Sequence, residues 1–131
     1  MLTKQEHIEF WLLQAEDDWT AVETLYKGNK YLQSLLFAHL VIEKICKSIW
    51  IKYNIANVPP RTHNLIYLLS FTPITLDDQQ SELLLKLNRF QLEGRYPEYI
   101  TKMHNICDKQ FTYDLILETN NLRLCLQEKV Q

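Results

Sequence analysis

Glycine is nearly missing from this chain of 131 residues, which holds two, and proline is scarce at four. An all-β domain needs frequent Gly and Pro turns between short strands, so that architecture is excluded and long helices with few breaks are predicted. Charge of one sign is also lacking: 14 Lys and Arg stand against 16 Asp and Glu, for a formal charge of −2. No basic field exists to attract phosphate backbones at long range, and non-specific nucleic-acid binding is not expected. The three cysteines, Cys46, Cys107 and Cys125, include no Cys-x-x-Cys pair. They indicate neither a disulfide framework nor a zinc ribbon, and suit a reducing compartment. The opening residues MLTKQEHIEF lack the basic stretch followed by an apolar one that a secretory signal requires. The most apolar stretch, residues 35–51, is interrupted by His39, Glu43, Lys44 and Lys47, too polar and too short for a membrane span. A cytoplasmic protein without membrane contact is expected.

What is present is apolar patterning. The chain is 47% hydrophobic and 11% aromatic, far from the composition of disorder, and its length suits one domain over residues 1–131. Ile8, Leu12, Ala15, Trp19, Val22 and Tyr26 recur in steps of four and three, the period of a helix with one buried stripe. Gly28 and Asn29 end it. Tyr31, Leu35, Ala38, Ile42, Ile45, Ile49 and Tyr53 repeat the pattern, so a second long helix packs antiparallel to the first across a short link. Pro59 and Pro60 turn the chain, and a short third helix follows, capped near Thr62 or Asn64. Thr75, Asp77 and Asp78 open a fourth helix whose inner face carries Leu83, Leu84, Leu87 and Phe90. Gly94 is expected in the left-handed position that closes a helix, and Pro97 to prevent renewed helix just beyond. Residues 98–108 then read as irregular, before a last helix with Phe111, Leu115, Leu122 and Leu126 on one face. The fold class is all-α, an up-and-down bundle of four to five helices. Its predicted spans are roughly 4–27, 30–53, 63–71, 76–93 and 110–129.

The order of these elements resembles the HEPN family, and residues match along almost the whole chain: Ala15 and Asp18, the segment 31–38, Glu43-Lys44 and Lys47, Thr62-His63-Asn64-Leu65, and Arg95-Tyr96-Pro97. The resemblance implies a bundle that pairs with itself as a homodimer and is often encoded beside a minimal nucleotidyltransferase, which would be the partner protein. It also implies one of two chemistries. Some members resemble metal-independent endoribonucleases, including toxins of toxin–antitoxin pairs, in which an Arg followed four to six residues later by a His works at the dimer seam. Others bind nucleotides or partner proteins. Here no His follows Arg61, Arg89, Arg95 or Arg123 at that spacing; Arg95 and His104, with eight residues between, come nearest.

The leading expectation is therefore a nucleotide-binding or partner-binding module working with a nucleotidyltransferase. An endoribonuclease toxin and a purely structural interaction bundle are the alternatives. Catalytic candidates are Arg95, His104 and His63. Ligand chemistry is expected to centre on Arg95, with Lys44, Lys47, Arg61 and His63 nearby, because a phosphate on a nucleotide or RNA needs several convergent donors. Each has a plainer reading. His63 can pack the turn, Glu43 can pair with Lys47 one helical turn on, and Arg95 can pair with Asp18 or Glu43 inside the bundle. Glu16 and Asp17 read as a solvated flank. His104, Cys107 and Asp108 make too small a set for zinc, and neither metal nor cofactor is expected. Apolar residues beyond the core stripe, Trp11, Leu36 and Leu40, are the ground for expecting a homodimer.

Overall fold

A computed structural model describes all 131 residues, and it is built from helices alone. Helix α1 (Lys4–Lys27) and helix α2 (Tyr31–Tyr53) form the long antiparallel pair. Thr3 caps α1 by accepting from the Glu6 N–H, while Glu6 returns a bond to the Thr3 N–H, which satisfies two end donors at once. The link is tight because Asn29, not Gly28, takes the left-handed conformation, at φ 63°. Ser34, fully buried at the start of α2, donates to the Val22 carbonyl at 2.8 Å and fixes the two helices in register.

Helix α2 is the central element. Leu35, Val41, Ile42, Ile45 and Ile49 are fully buried, each stabilising the fold by about 1.5–3 kcal/mol. They belong to one continuous apolar cluster of 27 residues. Its last carbonyls are closed by a side chain from far away: the Lys4 ammonium donates to the Ile51 and Asn54 carbonyls at 2.9 and 2.8 Å. Lys52 serves the end of the last helix in the same way, donating to the carbonyls of Lys129 and Gln131. A cation at the negative end of each helix dipole is the favourable arrangement.

Helix α3 spans only Leu65–Leu69, shorter than the expected 63–71, because Asn64 is its cap and accepts from the Tyr67 N–H. Helix α4 spans Asp78–Glu93. Its cap is Asp77, paired with Gln80, rather than Thr75. The carboxylate at Asp77 stands nearer the exposed N–H groups and completes the reciprocal bond with Gln80.

Residues 98–108, expected to be irregular, instead form helix α5 (Pro97–Ile106), which brings the number of helices to six. Pro97 does not block this helix; it starts it. At the first helical position a missing N–H costs nothing, since that donor has no intrahelical partner anyway. Gly94 also differs from expectation. Its φ of −70° and ψ of −6° are right-handed, so it is not serving a left-handed cap. A β-carbon there would lie 2.7 Å from the Phe90 carbonyl oxygen of the same helix and 3.1 Å from Leu36 Cδ2 of α2, so the position is crowded first by the end of α4 itself and then by α2. Helix α6 (Lys109–Val130) follows, capped by Asp108, which accepts from the Phe111 N–H at 2.8 Å. No helix is long and apolar enough to cross a membrane.

Candidate functional site

Pro59 and Pro60 end α2 and direct the chain into a turn whose bonds are local: Asn64 N–H donates to the Thr62 hydroxyl at 3.1 Å. Asn88 on α4 clamps that turn from the other side. Its side-chain oxygen accepts from the Leu65 N–H at 3.2 Å, and its amide nitrogen donates to the Asn64 side chain at 3.3 Å. Between turn and helix lies a cleft of about 430 Å³, walled by Arg61 to Asn64 on one side and by Asn88, Gln91 and Leu92 on the other.

Beneath the cleft stands a buried carboxylate. Glu43 of α2 has a side chain only 4% exposed and receives two bonds, from Lys47 Nζ at 2.9 Å and from His63 Nδ1 at 2.7 Å. His39, fully buried one turn earlier on α2, bonds the His63 carbonyl through Nε2 at 2.8 Å, and its Nδ1 lies 3.8 Å from Glu43. Since a carbonyl only accepts, His39 Nε2 is its protonated nitrogen. Desolvation holds the His39 imidazole below its ordinary value, against the opposing pull of Glu43. Lys47 completes this layer by resting over the Trp11 ring of α1, 4.9 Å from its centroid.

The five residues expected to bind a ligand are thus divided. Lys44 is turned to α1, where it pairs with the buried Asp18 at 2.5 Å. Lys47 is held by Glu43 below the cleft floor, as its helical spacing suggested. His63 lines the cleft but spends one ring nitrogen on Glu43. Arg61 also lines it and has no carboxylate within ion-pair distance. Arg95 pairs with neither Asp18 nor Glu43; its neighbour is Gln91, one helical turn before it. With the Gln91 amide oriented so that its oxygen faces the guanidinium, that oxygen accepts from Arg95 Nε at 3.3 Å and Nη2 at 2.5 Å. Gln91 is buried and lines the cleft, so it places Arg95 at the rim.

A family model described as the HEPN domain matches residues 8–128, nearly the whole chain. The chain belongs to the HEPN family. No curated protein and no solved structure matches it.

In this HEPN domain, Arg95 and His104 do not meet within one chain. Arg95 precedes α5 and His104 lies in its last turn, so helical rise alone separates them by about 10 Å. The loop that could have brought them together is a helix. His104 is exposed, and no group of three or more His, Cys, Asp or Glu side chains is placed to hold a metal ion. Asn88, Gln91 and Leu92 were not among the expected site residues. Their signal was present in the spacing: Asn88 and Gln91 follow at i and i+3 on one face of α4, and Arg95 comes four residues after Gln91, just past the helix end.

Proposed function

We propose that this HEPN domain is a binding module that takes a phosphate-bearing ligand, a nucleotide or the end of an RNA, in the cleft between residues 61–64 and α4. One observation carries the reading. Of the five expected cations, Arg61 and Arg95 alone are free of carboxylate partners. One lines the cleft and the other is tied to its wall through Gln91. A guanidinium is always charged and offers a planar fork of donors that matches phosphate oxygens. The amides of Asn64, Asn88 and Gln91 and the side chain of Leu92 give the rest of the wall the mixed polar and apolar character that a base and sugar require.

Two further parts of the proposal concern assembly. Leu85, Leu92, Tyr96, Tyr99 and Ile100 are exposed on α4, α5 and their link, and support a homodimer through that side. The earlier ground for a dimer is reduced to the half-buried Leu40, because Trp11 and Leu36 pack against the core. Family membership supports a nucleotidyltransferase partner, which co-purification from a co-expressed pair would test.

The binding experiment is calorimetric titration of the full chain with adenosine 5′-monophosphate, alongside thermal melting. Arg61→Ala and Arg95→Ala should each weaken binding by more than ~1 kcal/mol, about five-fold, with the melting temperature almost unchanged. A parent chain that binds no nucleotide, with an Arg95→Ala variant that melts early, sinks the proposal.

A further inference from the structure

The bond between His63 and Glu43 fixes more than a turn, because a carboxylate can only accept. His63 Nδ1, 2.7 Å from Glu43 Oε1, must therefore carry the proton. The carboxylate does not need a cationic imidazole to balance it, since Lys47 already neutralises it at 2.9 Å. In the neutral ring Nε2 is then the unprotonated nitrogen. The side chain is 55% exposed, lines the cleft with Nδ1 turned inward, and gives Nε2 no partner within the chain.

From this we infer that Glu43 is a positioning residue that makes His63 a hydrogen-bond acceptor in the cleft. The ligand it selects is a phosphate ester that carries a hydroxyl donor a few ångströms from its phosphate. The inference rests on the proposed phosphate-binding role of the cleft and adds what that role leaves open, the group recognised beside the phosphate. Arg61 and His63 are two residues apart, so their Cα atoms are separated by no more than about 7 Å. That is the scale separating a nucleotide's phosphate from its ribose hydroxyls. An acceptor nitrogen in the cleft offers a lone pair to O–H, whereas a ligand without the hydroxyl leaves it unpaired.

The test compares adenosine 5′-monophosphate with its 2′,3′-dideoxy analogue by calorimetry on the full chain. The wild type should prefer the ribonucleotide by roughly five- to ten-fold, the loss typical of one hydrogen bond at a ligand. His63→Ala, at a half-exposed position, should bring the two affinities within about two-fold. Glu43→Gln is the second variant. Its amide can donate to Nδ1 and move the ring proton to Nε2, so binding of the 2′,3′-di-O-methyl ether of adenosine 5′-monophosphate, whose ether oxygens only accept, should improve relative to the wild type while the imidazole stays in place, a result that a merely structural Glu43 does not produce. Equal wild-type affinities overturn the inference and leave the binding proposal standing, as does a preference that survives in His63→Ala. Absence of binding by either nucleotide overturns both. If Glu43→Gln fails to fold, the His63→Ala comparison alone decides.

Discussion

His63 donates its Nδ1 proton to Glu43 across 2.7 Å, joining the turn after α2 to the middle of α2 itself. The same carboxylate holds Lys47, which rests on Trp11 of α1. One buried side chain thus ties together α1, α2 and the turn that forms the cleft wall. Its burial is tolerable because both oxygens are bonded and its charge is matched.

Removing that carboxylate leaves Lys47 without a counter-charge beside the core. Glu43→Ala should destabilise the fold by about 3–5 kcal/mol in urea unfolding, the usual cost of breaking one side of a buried pair. His63→Ala, at the wet end of the same bond, should cost about 1 kcal/mol or less. Equal and small losses for both variants would show that Glu43 is not the hub.

The spacing His39, Glu43, Lys47 was legible as an i, i+4 ladder on α2, and the ion pair it predicts is present. The four long helices were legible for a related reason: their apolar stripes are long enough for the 3.6-residue period to be seen. Helix α5 was not. Its one fully buried side chain is Met103, so little stripe exists to read, and Pro97 fits a helix start as well as a helix stop. Gly94 misled because a rare residue at a helix end suggests backbone freedom, whereas the cause here is crowding by the Phe90 carbonyl of α4 and by Leu36 of α2. The site was half legible. Arg61, His63 and Arg95 are at or beside the cleft, but the turning of Lys44 toward Asp18 depends on how α1 rotates against α2, which periodicity fixes only coarsely.

Gly94→Ala tests that account of α4. The new methyl meets the Phe90 carbonyl of α4's own last turn at 2.7 Å and Leu36 of α2 at 3.1 Å, so the end of α4 must rearrange and the Leu36 side chain give way, at a cost of about 1–3 kcal/mol. Gly28→Ala is the control: its contacts are 3.4 and 3.7 Å and its φ is −85°, so stability should change by less than ~1 kcal/mol, in either direction. A Gly94→Ala protein as stable as the parent would contradict the close-approach reading.

The cysteines should differ in reactivity. Cys46 and Cys107 are buried, and burial pushes both thiols up, Cys107 to about 11. Cys125 is partly exposed. An aromatic disulfide reagent at pH 8 should label one thiol quickly in the native protein and all three in denaturant. Fast native labelling of Cys46 would mean that the core around α2 opens readily.

His39 should give the fold a stability that rises with pH. It is wholly buried, and desolvation, helped slightly by the nearby His63 ring, lowers its proton affinity from the ordinary 6.5 more than Glu43, the His63 carbonyl and Asn88 raise it. The unfolded chain therefore binds a proton at this residue at a pH where the folded chain does not, and stability increases with pH across that window. The contribution is fully present above about 6.5, and it is lost progressively as the pH falls from there through the depressed native value. Each pH unit inside the window is worth at most ~1.4 kcal/mol for one proton. Urea unfolding of the parent and of His39→Gln at pH 7.5 and pH 5.5 isolates the effect, since every other ionisable side chain is common to both proteins. The parent should lose more stability than the variant between the two conditions, whatever the variant's own offset at pH 7.5. Parallel losses would mean that His39 takes up its proton as easily in the core as in the unfolded chain, and that water reaches the layer between His39 and Glu43.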